Sequence, residues 1–510
     1  MNNLNFKKQV PKNLFVNIFS FFSTVVIGLW LTPYLLKSLG IVAYGLIPLA
    51  MFLSQYVSVV LNAINMSIGR FLLISLQKEE YTESNEIFNT SLVIVTFFVF
   101  IQLLIMATIL FDISYFFEIP NNLVEDAVWL FGLTFIGFSI SLFRGVFGTS
   151  IYSYNRLDIL RTIDIVQNLV RVVTIVSLFI YDEPSLKYIG IANLLASLSA
   201  IVPTLYYFKI FTPQLKINIS YFSKNRVFEL SKMSTWILIS QIGVLLLGNV
   251  DLYLVNRWIG SQATGEYAIV LQFTSIFKTF SILLSSIFIP ISMIYYANNE
   301  IKKLARFTIL ASKSMMIGLM VALVGLIVFS KEILLLWLHK DYIYLSELIS
   351  FSMLFFVFTI PIIPLFNVTV SYNKVKFPAI IVICLGVLNI ISIYLLSFNT
   401  SLGLWSIVSI KLLLEIIFSL VMVKYVSSIL NEPLIKFLNM LFISVGLFIS
   451  IFIILLSVKY FIVINSILDL FYIMLLLQLI LIPTIALLIL SKEEKILLAN
   501  KFLILKKLGW

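Results

Sequence analysis

The sequence predicts an all-α integral membrane protein with about 14 transmembrane helices, arranged as two six-helix lobes and two further C-terminal helices. Two observations predict this class. Of the 510 residues, 61% are hydrophobic and 12% are charged, against roughly 45–50% apolar and about 25% charged in an average soluble domain. The charges cluster between apolar runs such as 92–111 and 471–490, close to the ~20 residues that a bilayer-crossing helix needs. Because backbone groups in lipid must bond internally, such runs form helices rather than loops.

The charges of the loops test the number and orientation of these helices. Hydropathy predicts spans at 13–36, 43–67, 87–111, 125–150, 158–180, 188–210, 232–256, 266–292, 305–329, 346–371, 378–397, 402–426, 436–458 and 466–490. If the N-terminus is cytoplasmic, 23 Lys and Arg residues fall in inside segments and 6 in outside segments, the latter being Lys37, Lys187, Arg257, Lys331, Lys340 and Lys459. This excess of inside charge is the distribution that the positive-inside rule describes, so both termini are predicted to be cytoplasmic.

Composition excludes several kinds of chemistry. Cys384 is the single cysteine and His339 the single histidine, which leaves no residues for an internal disulfide framework, a cysteine metal site or histidine-based catalysis. The net charge of +11 comes from lysines that lie beside the spans, so it does not indicate that the protein binds nucleic acid. No metal or cofactor is therefore predicted.

An internal repeat divides the chain. The segment 153–157 (Ser-Tyr-Asn-Arg-Leu) resembles the segment 371–375 (Ser-Tyr-Asn-Lys-Val), and the turn around Gly40 resembles the turn around Gly260 at nearly the same displacement along the chain. Because six spans separate the copies, both insert in the same orientation, as a parallel repeat about a pseudo-two-fold axis along the membrane normal. The predicted segments are an N-lobe with helices 1–6 (1–215), a C-lobe with helices 7–12 (216–430), and helices 13–14 with a basic cytoplasmic tail (431–510).

Charged residues inside the predicted spans are the candidate functional residues, because a charge within the bilayer costs a few kcal/mol and must face protein or water. The basic ones are Arg144, Arg161, Arg171, Lys278, Lys313 and Lys411, and the acidic ones are Asp164, Asp251 and Glu415. One face of helix 5 carries a polar stripe within an arc of about 120°, made of Arg161, Asp164, Gln167, Asn168 and Arg171. The excess of cations predicts a positive cavity for an anionic passenger, with phosphate or pyrophosphate paired to arginine.

The alternatives for the acidic residues stay open. Arg161 and Asp164 are three residues apart and are spaced to neutralise each other, whereas Lys411 and Glu415, four apart, are spaced for a structural ion pair. Asp251 is either a coupling carboxylate or the partner of a cation on another helix. Asp164, Asp251 and Glu415 are therefore the candidates for proton or sodium coupling.

The basic residues differ in depth. Arg144 and Lys313 lie near the predicted cytoplasmic ends of their spans, where their side chains can also snorkel to the surface. Arg171 and Lys278 lie too deep for that and are the preferred substrate-binding cations. All six deep cations are candidate lining residues of the predicted cavity.

The turns carry a family resemblance. The turn Leu39-Gly40…Tyr44-Gly45 after helix 1, the turn Ile259-Gly260…Gly265-Glu266-Tyr267 after helix 7, and the Tyr-Asn-Arg/Lys turns before helices 5 and 11 resemble those of polysaccharide repeat-unit flippases. These proteins form part of the multidrug/oligosaccharidyl-lipid/polysaccharide exporter superfamily, and the resemblance covers nearly the whole chain.

The resemblance implies a transporter of the bacterial inner membrane and not an enzyme. Its implied substrate is an undecaprenyl-pyrophosphate-linked oligosaccharide unit, moved to the outer leaflet by alternating access for O-antigen, capsule or exopolysaccharide assembly. A polymerase and a chain-length regulator of the same pathway are the implied protein partners.

Three other hypotheses about the function compete with this one. Lipid II flippases of the superfamily also have 14 helices. Their first helix is rich in charge, whereas residues 14–36 here contain no charged residue. Multidrug exporters typically have 12 helices and an acidic N-lobe, whereas Asp164 here is flanked by arginines. A polysaccharide-pathway membrane enzyme usually carries a large outside loop or a soluble domain, and the predicted outside loops are short.

Overall fold

The computed structural model describes residues 6–248, 250–399, 402–492 and 494–495, and within these ranges all regular secondary structure is helical. Thirteen helices of this part of the chain are long and apolar enough to cross a membrane. The predicted all-α, multi-pass fold class is confirmed. The count is 13 rather than 14 because the predicted spans 13–36 and 43–67 fall in one helical segment, Phe6–Gln77, which comprises two helices joined at a kink where Gly40 is non-helical (φ 79°, ψ 167°).

The chain divides into two units, Met1–Gly265 and Glu266–Trp510. The helices of the first unit are α1 (Phe6–Gln77), α2 (Tyr81–Phe111), α3 (Ile113–Phe116), α4 (Val124–Ser153), α5 (Leu157–Tyr181), α6 (Leu186–Phe211), α7 (Lys224–Gly248), α8 (Val250–Trp258) and the start of α9 (Ser261–Ser285). The helices of the second unit, after the rest of α9, are α10 (Ile289–Ala297), α11 (Ile301–Val328), α12 (Ser330–Leu338), α13 (Ser346–Met353), α14 (Phe356–Thr359), α15 (Ile363–Ser371), α16 (Lys376–Asn399), α17 (Leu404–Leu430), α18 (Leu434–Phe461) and α19 (Ile467–Ile489). The lobe limits 1–215, 216–430 and 431–510 stay a prediction from the repeat.

Helix-ending turns recur at the spacing of the sequence repeat. Asn155 and Asn373, which are equivalent positions of the repeat, both adopt the left-handed conformation (φ 56° and 51°). Glu79 and Asn299, separated by nearly the same length of chain, do so as well (φ 62° and 57°). After each of these residues, the next N–H bonds the carbonyl oxygen five residues back, for example Glu80 to Ser75 at 2.9 Å, which is the bond that ends a helix at a left-handed residue. The repeat therefore extends to a pair of turns that sequence similarity did not indicate.

The predicted span 346–371 is broken rather than continuous. It consists of α13, α14 and α15, with Pro361 in the 3₁₀ turn before α15 and Pro364 at the start of α15. A proline removes one backbone donor and clashes with the preceding turn, so an uninterrupted helix cannot form here. Hydropathy alone does not register this, because proline interrupts the hydrogen bonding and not the apolar run.

Helices α4 and α6 pack closely through two glycines. A Cβ on Gly137 would lie 3.1 Å from the Asn193 carbonyl oxygen, and a Cβ on Gly190 would lie 2.9 Å from the Trp129 carbonyl oxygen. Both neighbours are backbone atoms of the facing helix, which cannot rotate away as a side chain can. These glycines therefore set the distance between the helix that carries Arg144 and the helix that carries Thr204.

Gly190→Ala is expected to lower the stability of the first unit by about 1–3 kcal/mol, because the added methyl group forces α4 and α6 apart. Thermal unfolding of the purified protein in detergent measures the loss. Gly318→Ala on α11 is the matched control, since a Cβ there meets nothing within 4 Å. Equal unfolding temperatures of the two variants would contradict this account of the α4–α6 contact.

The connection between α6 and α7 is fastened to α2 by buried asparagines. Asn85 Oδ1 accepts the Lys216 N–H at 2.7 Å, and its Nδ2 donates to the Gln214 carbonyl at 3.1 Å. Asn89 repeats this one turn later, donating to the Lys216 carbonyl at 2.8 Å and accepting the Asn218 N–H at 2.9 Å. The side chains of Asn85 and Asn89 thus satisfy backbone N–H and C=O groups of residues 214–218 in the connection, which have no regular secondary structure to pair them.

Candidate functional site

Asp164 lies between two arginines. Its Oδ1 accepts a hydrogen bond from Arg144 Nη2 at 2.6 Å, and its Oδ2 accepts one from Arg161 Nη1 at 3.1 Å. Arg144 comes from α4, whereas Arg161 and Asp164 lie three residues apart on α5. The predicted Arg161–Asp164 pair is therefore present, but one carboxylate serves two guanidinium groups. The cluster Arg144–Asp164–Arg161 keeps one net positive charge.

The two arginines are held differently. Arg144 also donates from Nη1 to Gln167 Oε1 at 3.0 Å and from Nε to Thr204 Oγ1 of α6 at 3.3 Å, and only 14% of its side chain is exposed. Among the residues that the structure describes, Arg161 bonds Asp164 alone, and 45% of its side chain is exposed. Arg144 therefore does not snorkel to a surface; it ties α4, α5 and α6 together. Arg161 keeps donors available for a further acceptor.

The cluster lines a cavity of about 820 Å³ inside the first unit. Its walls come from three helices and are formed by Asn65, Gly69 and Leu73 of α1, Ser141, Arg144, Gly145, Gly148, Thr149 and Tyr152 of α4, and Leu157, Leu160, Arg161 and Asp164 of α5. Glycines on α1 and α4 leave this space open; a Cβ on Gly145, for example, would lie 2.8 Å from Asn65 Nδ2. The volume falls in the range of small-molecule binding sites.

Ion pairs and a hydrogen bond join the start of α1 to the turn between α4 and α5, beside this cavity. Asp158, at the start of α5, accepts from Lys12 at 2.8 Å and from Arg156 at 3.0 Å, and its side chain is only 4% exposed. Asn13 donates to the Asn155 carbonyl oxygen at 2.9 Å. The first turns of α1 are thus fixed to the α4–α5 turn, which places the cavity-lining residues that follow it.

The rest of the predicted stripe continues along α5 beyond the cavity lining. Asn168 donates to Thr24 Oγ1 of α1 at 3.3 Å. Arg171 is half-buried, and its Nε is buried without a hydrogen-bond partner in the part of the chain that the structure describes. Arg171 forms no ion pair with the carboxylates that the structure describes. Within the described part of the first unit, no carboxylate therefore neutralises the charge of Arg171.

The other predicted residues lie outside this cavity. In the second unit, Lys278 is exposed on α9, and Lys411 and Glu415 are half-buried on α17. Lys411 borders a void of about 10 Å³ with Tyr267 and Thr274, too small for a ligand. Asp251 is fully buried near the start of α8 in the first unit. The substrate-binding and coupling roles assigned to these residues stay predictions.

Lys313 is paired rather than free. Its Nζ lies 2.8 Å and 2.9 Å from the two carboxylate oxygens of Glu494, and the two side chains are 16% and 18% exposed. Burial raises the pKa of Glu494, but hydrogen bonds from Lys313 and Ser491 outweigh it and hold that pKa below its ordinary value of 4.5. The pair spans 181 residues of sequence, so no local pattern could have indicated it.

Glu494→Gln is expected to lower stability by about 1–3 kcal/mol, because Lys313 loses a charged acceptor. Because the folded pKa of Glu494 is lowered, this contribution is present above pH 4.5 and is lost as the pH falls through the folded pKa. Thermal unfolding at pH 7 checks the effect, with Glu300→Gln as control, since the Lys303–Glu300 pair at the start of α11 is more exposed (64% and 33%). The exchange Lys313→Glu with Glu494→Lys should restore stability; failure of both predictions would make the pair incidental.

Several site residues were not predicted from sequence. Thr204, Tyr152 and Asn65 come from helices whose facing sides hydropathy does not specify, whereas Arg161, Asp164 and Gln167 belonged to the predicted stripe. The described residues contain no group of three or more His, Cys, Asp or Glu side chains that could hold a metal. The prediction that no cofactor is used, beyond a proton or sodium ion, is left to experiment.

The fold is that of the MOP-superfamily membrane transporters. The structure is similar to the lipid II flippase MurJ in an inward closed conformation, with a TM-score of 0.66 and 16% identity over 92% of this chain and 98% of that one. It is also similar to an inward-facing multidrug resistance MATE family transporter, with a TM-score of 0.63 and 15% identity over 81% of this chain and 94% of that one. These likenesses concern the fold, and the prediction of a transporter rather than an enzyme agrees with them.

Sequence comparison points the same way. Residues 237–395 match the MatE family model. The chain is 28% identical over 398 residues to an uncharacterized membrane protein, EpsK, of Bacillus subtilis (strain 168), covering 78% of each chain. The chain is therefore a multi-pass membrane protein of this transporter fold.

Proposed function

We propose that this protein is a flippase that moves an undecaprenyl-pyrophosphate-linked oligosaccharide unit from the cytoplasmic to the outer leaflet by alternating access. The observation that carries the proposal is the Arg144–Asp164–Arg161 cluster in the wall of the 820 Å³ cavity. A net positive, arginine-lined cavity favours a phosphorylated headgroup, because guanidinium groups bind phosphate through paired, charge-assisted hydrogen bonds. A cationic drug would be repelled from the same wall.

The proposed setting is the bacterial inner membrane, with both termini cytoplasmic and the saccharide delivered to O-antigen, capsule or exopolysaccharide assembly. Loop charges support this orientation. Partners of the pathway, a polymerase and a chain-length regulator, belong to the same proposal. Proton or sodium coupling would have to use Asp164, Asp251 or Glu415, the three carboxylates within the predicted spans.

The test is the pool of lipid-linked intermediates in a strain that lacks this gene. Accumulation of single repeat units on the carrier lipid at the cytoplasmic face is expected, because synthesis continues while flipping stops. Complementation with the wild-type chain should clear the pool, whereas Arg161→Gln should not. Arg257→Gln, which replaces an exposed arginine of the first unit, is the matched control. Absence of the intermediate itself would instead identify a synthetic enzyme.

A lipid II flippase is the second candidate, favoured by the likeness to MurJ over 92% of this chain. Lipid II carries the same pyrophosphate–undecaprenyl group, so the arginine cluster does not separate the two substrates. Rescue of cells depleted of their lipid II flippase separates them. Growth on expression of this chain, together with an unchanged pool of repeat units in the deletion strain, would favour lipid II.

A further inference from the structure

The two arginines on Asp164 differ in what else holds them. Arg144 keeps its bonds to Gln167 and Thr204 whether or not Asp164 is present, since these come from separate nitrogens at 3.0 Å and 3.3 Å. Arg161 has one side-chain bond to the described residues, at 3.1 Å, and is 45% exposed beside the cavity. Breaking the Arg161–Asp164 bond therefore costs little, because a partly exposed ion pair adds little to stability. Breaking the Arg144 bonds would remove side-chain hydrogen bonds that link α4 to α5 and α6.

We propose that Asp164 is an internal counter-anion that holds Arg161 in the absence of substrate and releases it to the phosphate of the incoming substrate. Arg144 stays on Asp164 throughout, so the remaining pair is neutral and Arg161 carries the net charge of the cluster to the ligand. This inference rests on the proposed function for the identity of the passenger. It deepens that proposal by assigning one mobile cation and one competing carboxylate to the site.

Geometry supports an exchange rather than simple addition. Asp164 is itself 27% exposed and lines the same cavity as Arg161, so an anion that enters meets both the cation and its present acceptor. A carboxylate and a phosphate compete for the same guanidinium donors. Removing the carboxylate charge therefore has the unusual effect of strengthening ligand binding, which a residue with a purely structural role would not produce.

The experiment is calorimetric titration of inorganic pyrophosphate into the purified full-length chain in detergent. Asp164→Asn should bind pyrophosphate about two- to fivefold more tightly than wild type, the range expected from the loss of one partly exposed competing pair. Asparagine keeps an oxygen for Arg144, so the helix contacts persist. Asp182→Asn, which removes an exposed carboxylate just after α5, is the matched control and should leave binding unchanged.

A double variant separates release of Arg161 from a general gain of positive charge. Arg161→Gln should weaken binding about tenfold or more, since it removes the charged donor. Adding Asp164→Asn to Arg161→Gln should then give no tightening, because the mobile arginine is absent and Arg144 stays held by Gln167 and Thr204. Tightening that persists without Arg161 would overturn the inference, and so would equal or weaker binding by the single variant Asp164→Asn.

These outcomes are distinguishable from failure of the proposed function. If wild type and Asp164→Asn bind pyrophosphate equally while the deletion strain accumulates lipid-linked units, the counter-anion role is wrong and the flippase stands. If Asp164→Asn binds more tightly but no intermediate accumulates, the anion site stands and the passenger is a different phosphorylated molecule. Failure of every variant and of the wild type to bind pyrophosphate would overturn the inference.

Discussion

Arg144→Gln is expected to abolish transport and to lower the stability of the first unit by about 2 kcal/mol, the cost of leaving charged and polar partners unbonded. Asp164 would keep only Arg161, and Gln167 and Thr204 would each lose a donor. With Arg161 then neutralised by Asp164, the cavity wall would carry no net charge for a phosphate. The expected phenotype is accumulation of lipid-linked intermediates together with a lower unfolding temperature.

Arg144→Lys is the informative companion. Lysine keeps the charge but reaches one acceptor where the arginine fork reaches three, so stability should fall while part of the activity survives. Arg257→Gln provides the control for loss of an arginine charge elsewhere in the first unit. Full activity of Arg144→Gln would remove this cluster from the substrate pathway.

Arg171→Ala is expected to abolish transport without lowering stability. The Arg171 Nε is buried and has no hydrogen-bond partner among the described residues, and a buried polar group without a partner costs stability rather than contributing it. A residue that is costly to the fold and lies in the middle of a spanning helix is best explained by use in transport. Abundance, unfolding temperature and clearance of the intermediate pool measure the three parts of this prediction.

The same substitution at Lys278, the other deep cation predicted from sequence, should also stop transport at unchanged abundance. Because Lys278 is exposed on α9, its removal disturbs no packed core. Full activity in both Arg171→Ala and Lys278→Ala would refute the assignment of deep substrate-binding cations. A fall in abundance of Arg171→Ala would instead indicate a structural partner for its guanidinium group.

The polar stripe of α5 shows how far sequence reasoning reaches. Periodicity places Arg161, Asp164 and Gln167 on one face, because a helix of about 3.6 residues per turn sets that face whatever surrounds it. It does not predict that Arg144, 20 residues before Asp164, bonds both Asp164 and Gln167. Nor does it distinguish a neutralised Lys313, whose partner Glu494 is 181 residues away, from an available cation.

The sequence by itself determined that this chain is a helical membrane protein with a repeated unit and an excess of deep positive charge. Hydropathy, periodicity and loop charge are local properties, and the bilayer forces helices from them because no water is present to bond the backbone. Only the tertiary structure decided which charges cancel and which face a cavity. Ion pairing depends on distances of about 3 Å between side chains of different helices, and these distances are set by how the helices pack.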